Sequence, residues 1–269
     1  MSKKAAPFRV EIKGHVAWLI LNRPDKRNAM GLDFFPAVTE HFRDFDSNPD
    51  VRVVVVKADG KSFTAGLDLM EAGGILTDST AAGREKLRRK ILVLQESMNA
   101  IEKCSKPVIA AVHSHCIGGG IDMLSACDIR IATADAVFSI RETRIAIIAD
   151  LGTLQRLPSI IGEGWFRELA LTGRDFTADE ALTMGFITRI CKDREDLYAA
   201  ADEIAERIAA NAPLTVQGIK DVILYNRDNG VYPGLHYVAQ KNCAALPSDD
   251  LMEAVTAFME KRKPEFKGN

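Results

Sequence analysis

The sequence predicts an α/β fold followed by a wholly helical last quarter, and three observations carry that prediction. Apolar runs of strand length recur through the first part of the chain with helical patterns between them. The turns that join them are rich in Gly, Asp and Pro. From about Asp193 onward only helical periodicity remains. Strands alternating with helices point to a core with much parallel pairing.

Taken in order, HVAWLILN (15–22), VRVVVVKA (51–58), PVIAAV (107–112) and the stretch around DIRIAT (128–133) read as strands. NRPDK, KADGKS and GLDLMEAGG read as the turns between elements. REDLYAAADEIAERIAANAP, LTVQGIKDVILYNRD, the segment around LHYVAQKNCAAL and DDLMEAVTAFMEKR read as helices. Such a tail packs either on the α/β body or on a neighbouring subunit, and the pattern leaves both open.

Composition bounds the function. A chain of 269 residues, 47% hydrophobic and 27% charged, is an ordinary globular balance, long enough for one large domain or for one domain with a smaller appendage. A net charge of −2 provides no overall basic field for nucleic acid. The five cysteines, Cys104, Cys116, Cys127, Cys191 and Cys243, form no C-x-x-C pair, which fits reduced thiols. MSKKAAPFRV lacks the apolar run of a signal peptide, no apolar segment is long enough to span a membrane, and KGN is not a peroxisomal address. The expectation is a soluble, cytoplasmic protein that binds neither membrane nor nucleic acid.

Residues 116–130, CIGGGIDMLSACDIR, hold the first candidate site. Three adjacent glycines cost backbone entropy, so they mark a sharp turn or a close approach to the backbone. A helix starting at Gly119 or Gly120 would aim free N–H groups and its positive dipole end into that turn, the chemistry of an anion or oxyanion site. Asp122 is then either a first-turn acid complementing the dipole or a working carboxylate.

In KSFTAGLDLMEAGG (61–74), the turn Ala65-Gly66-Leu67-Asp68 would leave the N–H of Leu67 free as a second oxyanion donor, or would simply let Asp68 cap the next helix. In FSIRETRIAIIADLGTLQRLPSIIG (138–162), Glu142 and Asp150 stand among mostly apolar neighbours, where desolvation raises a carboxyl pKa toward the range of a general acid or base. The plain alternative pairs Glu142 with Arg141 or Arg144 and has Asp150 cap a helix near Leu151. Lys26 and Arg27, in NRPDKRNAM, lie in a loop where they would meet phosphates or only solvent.

Other chemistries find little support. His113 and His115 in HSHC would share one face of an extended strand, but no further Cys/His cluster completes a zinc site, so no metal is expected. No G-x-S-x-G frames a nucleophile, and CIGGGID lacks the G-x-G-x-x-G spacing of a dinucleotide site.

NRPDKRNAM, SFTAGLDL, PVIAAV, CIGGGID, ACDIR, GTLQRLP and TADEALTMGFI occur in that fixed order, and in it the chain resembles the crotonase (enoyl-CoA hydratase/isomerase) superfamily over most of residues 8–230. The resemblance implies a crotonase (ClpP-like) spiral of ββα units over residues 1–195, carrying the site, and a helical C-terminal trimerisation region over 196–269, assembled as a homotrimer or homohexamer. It implies an acyl-CoA substrate whose enolate is held by the N–H groups of Leu67 and Gly119, with Lys26, Arg27, Ala65, Gly66, Asp68 and Gly118 lining the substrate. No cofactor is implied beyond the coenzyme A of the substrate.

Acids at Asp122, Glu142 and Asp150 together resemble the dienoyl-CoA isomerase branch, since hydratases of the superfamily have glycine where Asp150 stands. The implied reaction shifts a 3,5-dienoyl-CoA to a 2,4-dienoyl-CoA, with Glu142 and Asp150 as proton donor and acceptor and Asp122 polarising or positioning one of them. Enoyl-CoA hydration, another double-bond shift, and non-catalytic acyl-CoA binding or assembly are the alternatives. Ser114, His115, Arg144 and Ala146 depart from the branch pattern.

Overall fold

In strand β2 (Val16–Leu21) every side chain is buried, so the strand lies between two apolar layers. Its alternation divides them: Val16, Trp18 and Ile20 enter one core, while Ala17, Leu19 and Leu21 enter the other. The structure is a computed structural model and describes residues 6–73 and 79–269. The expected α/β architecture with parallel pairing is what it contains.

The main sheet has the order β1-β2-β3-β4-β6-β9. Its strands are β1 (Phe8–Lys13), β2, β3 (Val53–Ala58), β4 (Val108–Val112), β6 (Ile129–Thr133) and β9 (Ile190–Cys191). Only β1 runs antiparallel to its neighbour; the other pairs are parallel. A second sheet has the order β5-β7-β8, from β5 (His115–Ile117), β7 (Val137–Ser139) and β8 (Asp175–Thr177).

The larger core lies under helix α1 (Phe34–Ser47), which contributes Phe34, Phe35, Val38, Phe42 and Phe45, and under α3 (Ala81–Lys103), which contributes Met98 and Ile101. The opposite face is covered by α8 (Arg194–Ala209) through Leu197, Ala200, Ala201, Ala205 and Ala209. Leu197, Ala201, Ala205 and Ala209 recur every four residues, so one helical stripe of mostly small side chains lies on Trp18, Val53, Val55 and Ile109. The first helix of the expected C-terminal region therefore packs on the sheet.

Helices α9 (Pro213–Asn229), α10 (Val231–Ala245) and α11 (Asp249–Glu260) follow. Lys220 of α9 is buried and donates from Nζ to Asp128 Oδ2 at 2.7 Å and to the Lys106 carbonyl at 3.1 Å. Ile219, Ile223, Leu235, Phe258 and Met259 nevertheless stay exposed along these helices. Among the described residues no helix is long and apolar enough to cross a membrane.

Leu197 is completely buried between α8 and the sheet. Leu197→Ala is expected to lower unfolding free energy by about 2–5 kcal/mol, read from denaturant unfolding, because it removes buried area and leaves a cavity.

Candidate active site

Strand β5 runs into Gly118 at φ +53° and ψ −118°, a backbone conformation that favours glycine, and α4 (Gly119–Ala126) starts at the next residue. The Gly118 N–H is spent on the Ser139 carbonyl at 2.9 Å. The N–H of Gly119 meets no acceptor among the described residues. It is one of the orphan donors of the helix start.

A second chain segment lies directly against this turn. Thr64 N–H donates to the His115 carbonyl at 3.0 Å and Ile117 N–H to the Thr64 carbonyl at 3.2 Å, pairing the two stretches in parallel. Gly66 follows at φ +82°, where a Cβ would fall 2.7 Å from the Ile117 carbonyl oxygen. Met30 N–H donates to Gly66 and the Met30 carbonyl accepts from Asp68, at 2.8 and 2.9 Å. The N–H of Leu67, between them, points to the other side and finds no acceptor among the described residues. The free donors at Leu67 and Gly119 thus belong to two turns in van der Waals contact.

Asp122 and Glu142 stand at the glycine turn, and the charge of Asp150 reaches both. Asp122, in the first turn of α4, is 2% exposed, and its Oδ1 accepts two hydrogen bonds of 2.7 Å from Thr153, one from N–H and one from Oγ1. Burial pushes its pKa up to about 7; the Thr153 bonds oppose the shift, and the charges of Glu142 and Asp150 add to it. Asp122 is therefore a first-turn acid, as one sequence reading had it, but its carboxylate caps a different helix, α5 (Thr153–Ile161).

Glu142 opens a 3-10 turn, Glu142–Ile145, after β7. Its Oε1 lies 3.2 Å from the place a Cβ on Gly118 would occupy, and its Oε2 is buried with no hydrogen-bond partner among the described residues. Desolvation raises its pKa, with the charge of Asp150 adding to the rise. Asp150 follows at the end of the same loop, flanked by buried Ala149 and Leu151, and desolvation raises its pKa too.

Ion pairing does not account for these acids. Arg141 is engaged by Asp175, no ion pair of Glu142 or Asp150 occurs among the described residues, and the residue capping α5 in sequence is Gly152. The Asp150 loop is held instead through its backbone, by Gln95 Nε2 on the Asp150 carbonyl at 2.6 Å and Arg156 Nη1 on the Leu151 carbonyl at 3.4 Å. Arg156 is itself paired with Glu102 at 2.9 Å.

The other expected residues are placed less uniformly. Ala65 is exposed and Gly66 and Gly118 form the touching turns. Asp68 caps α2 (Leu69–Ala72) by accepting from Met70 N–H and Glu71 N–H, and Lys26 Nζ lies 3.7 Å from its Oδ2. Arg27 is exposed at φ +51°.

His113 and His115 do not share a face: Ser114 turns at φ +52°, His113 is buried against the Gly60 carbonyl, and His115 is exposed. Among the described residues no three His, Cys, Asp or Glu side chains converge as a metal site. Thr153 and Gln95 escaped the sequence reading, since Thr153 lies 31 residues from Asp122 and Gln95 lies 55 from Asp150.

Residues 11–269 match the family described as Enoyl-CoA hydratase/isomerase. Among curated proteins, the chain is 49% identical over 264 residues, 96% of this chain and 95% of the relative, to the Delta(3,5)-Delta(2,4)-dienoyl-CoA isomerase, peroxisomal, of Arabidopsis thaliana. It is 42% identical over 258 residues, 94% of this chain and 88% of the relative, to the Delta(3,5)-Delta(2,4)-dienoyl-CoA isomerase, mitochondrial, of Dictyostelium discoideum. Among solved structures, an enoyl-CoA hydratase from Bacillus anthracis superposes with a TM-score of 0.91 at 32% identity, covering 98% of this chain and all of that one.

These names correct the cytoplasmic location expected from the sequence, because the dienoyl-CoA isomerase relatives are peroxisomal or mitochondrial.

The raised pKa of Asp122 has a consequence for stability. Between the ordinary carboxyl value and about 7 the folded state holds this proton and the unfolded state does not, so this group's contribution to stability falls as pH rises through that window. Asp122→Asn is expected to unfold with a free energy about 2–4 kcal/mol above that of the unchanged protein at pH 8, the difference vanishing toward pH 4, read from urea unfolding across that range.

Proposed function

The chain belongs to the enoyl-CoA hydratase/isomerase family, and on that premise we propose that it converts 3,5-dienoyl-CoA thioesters to 2,4-dienoyl-CoA thioesters. The observation that carries this reading is the set of three desolvated carboxyls, Asp122, Glu142 and Asp150, beside two free backbone donors.

The thioester oxygen accepts from the N–H groups of Leu67 and Gly119. One carboxylate takes a proton from C2; that electron pair becomes the C2–C3 double bond, the C3–C4 pair moves to C4–C5, and the C5–C6 pair takes a proton at C6 from a second carboxyl. Atoms and charge balance with no oxidant, so the reaction needs no cofactor beyond the coenzyme A the substrate carries. Negative charge that builds on the thioester oxygen is stabilised by roughly 3–4 kcal/mol per donor.

The closeness of Glu142 Oε1 to Gly118 supports a role for Glu142 at the thioester end, serving C2, with Asp150 farther along the loop serving C6. A proton relay needs one ionised and one protonated carboxyl at the same pH. Desolvation raises both pKa values and the charge of Asp150 adds to the rise at Glu142, so repulsion opposes ionising both at once, which supports that division. Asp122, whose charge couples to both, polarises or positions one of them.

Lys26 and Arg27, exposed on the loop that supports Ala65, meet the phosphates of coenzyme A; Ala65, Gly66 and Gly118 line the thioester, while Asp68 acts through the fold of α2. The apolar side chains exposed on α9, α10 and α11 support assembly as a homotrimer or homohexamer through the region after residue 195, with α8 left on the sheet.

With 3,5-octadienoyl-CoA, ultraviolet absorbance of the conjugated product is expected to rise in the unchanged protein and to rise at least 100-fold more slowly in Glu142→Gln and in Asp150→Asn. Rapid hydration of crotonyl-CoA that is indifferent to Asp150→Asn, with no dienoyl isomerisation, would overturn the proposal in favour of a hydratase.

A further inference from the structure

Asp122 shares the site with two other acids, yet among the described residues only its carboxylate accepts hydrogen bonds from another element. Both come from Thr153, which is 1% exposed at the first position of α5, and both end on the same oxygen. Asp122 Oδ2 has no hydrogen-bond partner among the described residues. The carboxylate is therefore fixed in rotation with one oxygen saturated and the other unspent.

We propose that Thr153 is the positioning residue of the site, holding Asp122 by its N–H and Oγ1 so that the unsaturated oxygen is presented to the other two acids. The kinetic part of this inference rests on the isomerase reading; the part that concerns the carboxyl alone does not. Among the described residues no other side chain donates to the Asp122 carboxylate. The charged groups whose fields reach it are Glu142 and Asp150, both of its own sign, and the neighbouring cation of α5, Arg156, is taken by Glu102 and Asn99 of α3.

Two features make the support rigid. Gly152 precedes Thr153 at φ +126°, with the Arg156 side chain packed into the place a Cβ would take. Leu157 and Ile161, on the same side of α5, are buried in the main core. The helix that carries Thr153 is thus anchored independently of the acids, and Asp122 orients against a fixed point.

A hydrogen bond to the ionised form favours ionisation, so removing the hydroxyl should move Asp122 in one direction only. Thr153→Val keeps the N–H and nearly the same volume while removing Oγ1; Thr153→Ser keeps the hydroxyl and removes a methyl. Carboxyl-carbon NMR titration of protein labelled in aspartate, with Asp122 assigned by Asp122→Asn, reads the midpoint without substrate. The expected result is a midpoint higher by about one pH unit in Thr153→Val and restored in Thr153→Ser.

With 3,5-octadienoyl-CoA, kcat in Thr153→Val is expected to fall roughly tenfold or more with KM little changed, the pH limb assigned to Asp122 moving upward and returning in Thr153→Ser. An unmoved midpoint in folded Thr153→Val overturns the positioning role whatever the activity. A moved midpoint in a protein without dienoyl isomerisation upholds the contact and refutes the isomerase reading instead.

Discussion

The contact between Gly66 and the Ile117 carbonyl oxygen governs the architecture of the site. The main chain approaches so closely there that any Cβ at position 66 would stand 2.7 Å from that oxygen. Two turns from distant parts of the sequence touch through this contact, and on each the next residue or the one after it contributes an unused N–H. Gly120 closes the same joint from below, against Thr64 and Cys116. Strand pairing alone would bring the segments together; the missing side chains let them meet at backbone distance.

The electrostatics run against stability. Desolvation raises the pKa of three acids that also repel one another, so keeping them ionised weakens the fold. The support lies outside the pocket, where α3, α5 and α9 are tied by Glu102, Arg156 and Arg227, and where Gln95 holds the Asp150 loop. None of those ties neutralises an acid of the site. The surroundings hold the backbone and leave the carboxyls without cationic partners, the arrangement that proton transfer near neutral pH requires.

Much of this was legible in the residues. The runs at 15–22, 51–58, 107–112 and 128–133 became β2, β3, β4 and β6 because strands buried on both faces read as continuous apolar stretches. The glycine triplet marked a close approach because little else explains its backbone cost. What stayed hidden depends on distance in sequence or on a single dihedral angle. Thr153 reaches Asp122 across 31 residues, and one turn at Ser114 separates His113 from His115. The helix that Asp122 caps is not its own, which no local spacing records. Location was unreadable because thiol chemistry is shared by several reducing compartments.

In the proposed site the N–H groups of Leu67 and Gly119 share one oxyanion, and Glu142 and Asp150 flank the acyl chain that leads away from it. The direct test is a crystal structure with a non-reacting amide analogue of a dienoyl-CoA, which keeps the carbonyl oxygen. The carbonyl oxygen is expected about 2.7–3.1 Å from both Leu67 N and Gly119 N, with the acyl chain passing between the two carboxyls. An oxygen bound away from those donors, or an acyl chain that avoids the carboxyls, would contradict it.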